Sequence, residues 1–185
     1  DDGPEQAELE ALLGALQAEA IPTLVRALPA MSDPVLRAQV EEALDRLILR
    51  FPRHVMRLLQ AEDPMLAAEA AGIVTRLGVP GAEDGLVEAA RRPEAIARRA
   101  AVAALARVDT EAARTVVLEA LEDDEAGVRV AAANALAQSG ATAAEEAIRR
   151  EVAGHGFSGR DPAEQMAFLK SLVAASGDRA VDTLD

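Results

Sequence analysis

Arg46, Arg76, Arg107 and Gln138 fall 30, 31 and 31 residues apart, and four residues before each stand Glu42, Gly72, Ala103 and Asn134. Residues four apart share one face of a helix. The eight positions therefore read as one side of a groove, small in its middle, with guanidinium groups along an edge. Each guanidinium offers a planar fork of donors suited to carboxylates of a bound chain. A plainer account competes with this one. The three arginines would occupy the last turn of their helices, where the helix dipole favours cations.

A second polar group lies in the stretch from Gly154 to Pro162, where His155, Phe157 and Arg160 stand among three glycines. Such composition predicts a mobile rim loop, and loops of this kind often carry binding residues. The alternative is a slack turn whose Phe157 tucks onto neighbouring helices. His155 and Ser158 are the one local pairing of a base with a nucleophile, and no rigid element supports them. His54 takes a position held elsewhere by Thr23, Gly85, Val116 and Ala147, which reads as a tolerant surface site. Neither histidine has a second ligand at metal-binding spacing. With no cysteine in the chain, thiolate chemistry and disulfides are absent. Phosphate-cradling glycine motifs are missing too. No catalytic residue, metal or cofactor is expected.

The balance of the chain narrows the partners. Its 185 residues carry a net charge of −13, half of them are apolar, and only 2% are aromatic. An acidic surface opposes nucleic-acid binding, which depends on Lys and Arg neutralising phosphates. It equally opposes anionic lipid. Charged residues interrupt every apolar run well short of a membrane span. A protein partner, or a neighbouring domain of the parent chain, fits best. The acids Asp1, Asp2, Glu5, Glu8 and Glu10 read as a frayed, solvated end. The start at Asp1 without Met and the finish in a helical pattern at 178–185 suggest a processed chain or an excised segment. Localisation stays open, with the cytoplasm favoured by the missing cysteines and the lack of a visible signal peptide.

The elements that position these groups follow from one period. Leu24, Val55, Leu86, Val117 and Ile148 are 31 residues apart throughout, and Leu28, Leu59, Ala90, Leu121 and Val152 keep the same step. They mark the buried face of a first helix in each unit. A second helix carries Leu44, Val74, Leu105 and Leu136, with Val40, Ala70, Ala101 and Ala132 four residues earlier. From Leu136 to Val173 the step widens to 37, which places an insertion in the Gly154–Pro162 stretch. Two helices per unit cannot cover their own apolar faces, so neighbouring units must stack.

Local signals agree. Asp33-Pro34 and Asp63-Pro64 set an N-cap acid before a proline at the first helical position. Glu94 and Glu125 continue the acidic series. Gly78, Gly140 and Gly177 suit left-handed helix ends. The reading is all-α: an α-α superhelix, or solenoid, of antiparallel helix pairs forming a single domain over 1–185. A leftover second helix at 7–20 precedes repeats at 21–50, 51–79, 80–109, 110–140 and 141–177, and 178–185 opens another. Incomplete ends should expose Leu9, Leu12 and Leu16, which predicts either further repeats in the parent chain or self-association there.

Asp33-Pro34 with Arg37, and Asp124 with Val128, Arg129, Ala132, Ala135 and Leu136, resemble the signature of HEAT-like repeats of the phycobilin-lyase type. The resemblance implies a right-handed solenoid whose second helices line the concave face. It also implies a ladder of Asp and Arg side chains between repeats, here Asp33, Arg37, Asp63, Arg98, Asp124 and Arg129. Ala67 interrupts it in the second repeat. Deoxyhypusine hydroxylases, similar in fold, use His-Glu pairs, whereas Val55 and Gly156 follow the histidines here. HEAT-like DNA glycosylases use basic grooves with Trp and Tyr, both lacking in this chain. The expected function is a non-catalytic protein-interaction scaffold. A lyase or chaperone for a chromophore and a structural spacer are the alternatives, although a chromophore pocket would find little aromatic lining.

Overall fold

The computed structural model describes residues 12–13, 15–139 and 142–176, and among them every regular element is helical. The α-helices are α1 (Ile21–Ala27), α2 (Pro34–Arg50), α3 (Pro52–Leu58), α4 (Pro64–Leu77), α5 (Glu83–Ala89), α6 (Ala95–Leu105), α7 (Glu111–Glu119), α8 (Ala126–Ser139), α9 (Thr142–Ala153) and α10 (Pro162–Ser176). Odd-numbered helices open each of five pairs and even-numbered helices close them. The chain divides into two compact units, Asp1–Gly85 and Leu86–Asp185, with the division inside α5.

In the first unit α1 packs on α2, α3 and α4, and α3 packs on α2 and α4. The second-helix stripe is buried as its period requires, at Val40, Leu44, Ala70 and Val74. Val55 on α3 and Leu59 just after it fill the core. In α1 the buried face is Ile21 and Val25, while Leu24 and Leu28 are only half-buried. That helix is flanked by 3₁₀ turns at Ala18–Ala20 and Leu28–Ala30, the second of which takes Leu28 out of the α-helix.

Helix starts and stops here follow side-chain chemistry. Asp33 Oδ1 accepts the amides of Val35 at 2.8 Å and Leu36 at 3.2 Å. Asp63 Oδ1 does the same for Met65 at 3.0 Å and Leu66 at 3.4 Å. Gly78 closes α4 at φ 61, a left-handed conformation that favours glycine. Over 15–17 the expected helix is absent: the chain turns, then extends at Gln17. Leu12 is exposed and Leu16 half-buried. The acidic end, Leu9, Gly140, Gly177 and 178–185 lie outside the described residues.

In the second unit α8 lies between α6 and α10, with α7 and α9 also packed on it. Ala101, Ala132 and Ala133 are fully buried, and such short side chains let helices come close. Leu86, Leu105, Val117, Val128, Leu136 and Ile148 complete the aliphatic core. Helix α10 departs from the pattern, because it buries Glu164 and Ser171 beside Phe168. Val173, the expected successor of Leu136, is 73% exposed.

Candidate functional site

Two guanidinium rungs join the pairs of the second unit. Arg98 on α6 reaches Asp123, ahead of α8, with Nε and Nη2 each 2.8 Å from a carboxylate oxygen. Its Nη1 donates back to the carbonyls of Arg92 and Pro93. Arg129 on α8 repeats the arrangement one pair further on. Its Nε and Nη2 lie 2.7 and 2.8 Å from the carboxylate of Glu164 on α10, and Nη1 donates to the carbonyls of Asp123 and Asp124. Each arginine therefore ties its own turn to the next second helix through bidentate, charge-assisted bonds. The bond from Arg98 holds the Asp123 carboxyl below its ordinary range. The same pairings push the Arg98 and Arg129 guanidiniums up.

This ladder differs from the expected one. The rung acid is Asp123, not Asp124, because Asp123 is fixed by accepting the Glu125 amide at 2.9 Å while Asp124 stays exposed. Arg37 is exposed and has no side-chain partner among the described residues. Asp33 and Asp63 spend one carboxylate oxygen each on helix amides, and the other oxygen of Asp63 faces Arg26 at 3.9 Å. Glu164 was not in the expected set. The Asp161-Pro162-Ala163-Glu164 run was its available signal, since Asp161 caps α10 through the Ala163 amide at 2.8 Å.

The expected row of arginines splits up. Arg46 pairs with Glu42 one turn earlier at 3.2 Å. Arg76 on α4 reaches across to Asp45 on α2, through Nη1 at 2.5 Å and Nη2 at 2.7 Å. Glu41 adds to this pair, and the Asp45 bond pushes the Arg76 guanidinium up. Arg107 is exposed and makes no ion pair among the described residues. The insertion is a folded turn rather than an open loop. Phe157 opens a 3₁₀ turn and meets Phe168 edge-on, with ring centroids 6.0 Å apart. Arg160 bonds Glu151 at 2.6 Å and lies over the rings of Phe157 and Phe168. Gln165 donates to the carbonyls of Ser158 and Arg160. Only His155, of the three residues singled out there, is exposed. His54 is half-buried rather than a surface residue, with its ring edge-on to Phe51 and its Nδ1 buried without a hydrogen bond.

What the second unit does assemble is a groove of about 840 Å³ along α6, α8 and α10. Ala100, Ala103, Gly127, Ala131, Ala163 and Ala167 make a floor of short side chains. Arg99, Asn134, Gln138 and Asp161, all exposed, stand on its rim, and the buried Glu164 forms part of its wall. Arg99 lies across Gly127, where an added Cβ would meet its Cδ at 3.5 Å. Asn134 is held by Ser171, whose hydroxyl donates to Oδ1 at 2.9 Å. Two of the expected contact residues, Asn134 and Gln138, thus share one groove. Arg99 escaped sequence reading because it lies one residue beyond the rung arginine Arg98 and outside the Arg107 series.

Among the described residues no group of three or more His, Asp or Glu is placed to hold a metal ion. No described helix is long and apolar enough to cross a membrane. Helix pairs tied by guanidinium rungs define a helical-repeat protein. The family model for HEAT repeats matches residues 52–137 and again 83–153, more than half of the chain, and the chain belongs to that family. Repeats of this family commonly serve as protein-interaction scaffolds and are typically non-catalytic. No match was found among curated proteins.

Proposed function

We propose that the chain is a non-catalytic interaction module whose second unit holds a segment of a partner protein along α6, α8 and α10. The observation that carries the reading is the groove, with its floor of alanines and glycine and its polar rim. Short side chains on three neighbouring helices leave room for side chains of an incoming segment, which Arg99, Asn134 and Gln138 can orient. Rungs that fix the spacing of these helices lower the ordering cost of binding. Glu42, Arg46 and Arg76 satisfy one another or Asp45 within the first unit, so they rank behind the groove residues as contacts. Phe157 and Arg160 are engaged inside the turn, which leaves His155 as its outward group.

The test uses Ala103→Glu, a change at an exposed position that fills the groove without entering the core. The expected result is loss of partner recovery from extracts of the producing cells, with the circular dichroism melt unchanged. Unaltered recovery by this variant and by Ala131→Glu would reject the groove as the binding site.

A further inference from the structure

A second cavity in the same unit has different walls and a different chemistry. It holds about 310 Å³ between the end of α6, the middle of α7, the end of α8 and the start of α9. Leu105, Val117, Ala135, Leu136 and Ala144, all buried, form its inner surface, and Leu118, 40% exposed, stands at its mouth. Arg107 and Arg114 are the cations on its lining. Arg114 is already occupied, since it bonds Asp109 at 2.5 Å and lies 3.6 Å from Glu111. Arg107 has no ion pair or side-chain hydrogen bond among the described residues. The groove and this cavity have only Ala135 in common.

We infer that this cavity binds a medium-chain aliphatic carboxylate, with the chain against Leu105, Val117 and Leu136 and the carboxylate on Arg107. The volume sits at the lower end of the range for small-molecule sites, and an apolar wall with one directing polar group is their usual make-up. Room of this size suits a chain of about eight carbons and excludes a folded partner element. With Arg114 neutralised by Asp109, the guanidinium of Arg107 is the unspent charge on the lining. It selects an anion over a neutral chain of equal length.

The experiment is a titration of the whole chain with octanoate, with methyl resonances of Leu105, Leu118 and Leu136 observed by NMR and heat measured in parallel. Octanol and butyrate serve as controls for the charge and for the chain. Octanoate is expected to shift those methyl signals in a saturable way. Octanol should bind about tenfold more weakly, as should octanoate to Arg107→Ala, the loss of one charge-assisted bond, and butyrate, four methylenes shorter, should bind more weakly by about two-hundredfold. Ala143→Leu, which adds bulk at an exposed lining position, should abolish the shifts while the melt stays unchanged. Absence of octanoate binding at millimolar concentration overturns the inference. So does binding that Arg107→Ala and Ala143→Leu leave intact, because the ligand would then sit elsewhere. Neither outcome touches the partner groove, whose own test is Ala103→Glu.

Discussion

The two units solve the same junction in different ways. In the first, Asp33 and Asp63 cap the helix that each precedes, and Arg37 is left in solvent. In the second, Asp123 and Glu164 accept an arginine from the preceding pair, and that arginine also bonds the carbonyls of its own turn. Capping stabilises one helix locally, whereas a rung couples neighbouring pairs. The second unit accordingly brings α8 close to both α6 and α10 and forms a groove across them. In the first unit, the link between α2 and α4 is the half-exposed bridge of Arg76 with Asp45. That pair is bidentate and joined by Glu41, but with Arg76 42% exposed it is screened more than the buried rungs. A binding surface made from the backbones of three helices needs their spacing fixed, and the rungs supply that.

Arg129→Ala should break the comparison most severely. It removes the bidentate partner of Glu164, whose side chain is only 4% exposed and keeps Arg160 Nη1 at 3.5 Å, and should cost about 3 kcal/mol. Arg37→Ala, the matching change in the first unit, should stay within about 0.5 kcal/mol. Urea midpoints followed by circular dichroism separate the two, and similar losses would erase the distinction drawn between the units. Leu105→Ala and Leu44→Ala should each cost on the order of 2–5 kcal/mol, because the aliphatic stripe is common to both units. A silent change at either position would mean that the repeat register is wrong there.

Asp123→Asn should cost about 2 kcal/mol at neutral pH, the scale of hydrogen bonds to a charged group. Because folding lowers the pKa of Asp123, the folded state releases its proton more readily than the unfolded chain does. The stabilisation is therefore complete above the ordinary aspartate value of about 3.9 and is lost as the pH falls through the depressed one. The gap between wild type and Asp123→Asn should close over that acid range, and a gap independent of pH would show that the charge contributes nothing. Asp63→Ala removes a helix cap and a long contact with Arg26 and should cost about 1 kcal/mol, read from the urea midpoint.

Much of the fold was legible because hydrophobic period and helix caps are local properties. Leu44, Val74, Leu105 and Leu136 are buried where steps of 30, 31 and 31 residues place them, and Asp33 and Asp63 cap where Asp-Pro predicts. What stayed hidden depends on distance in space. Adjacent Asp123 and Asp124 look equivalent in the chain, and only the path of the turn decides which carboxylate meets Arg98. Arg46, Arg76 and Arg107 share a register, yet acids on neighbouring turns or helices consume the first two. The glycines around Phe157 suggested looseness, while the contact with Phe168, eleven residues later, folds the turn.

The most direct measurement of the central claim is site-specific photo-crosslinking of the whole chain with a partner recovered from its source. A benzophenone side chain at Ala103, in the groove, should trap that partner covalently. The same group at Leu49, exposed on α2, should not. Adducts at Leu49 with none at Ala103 would contradict the account and move the binding surface to the first unit.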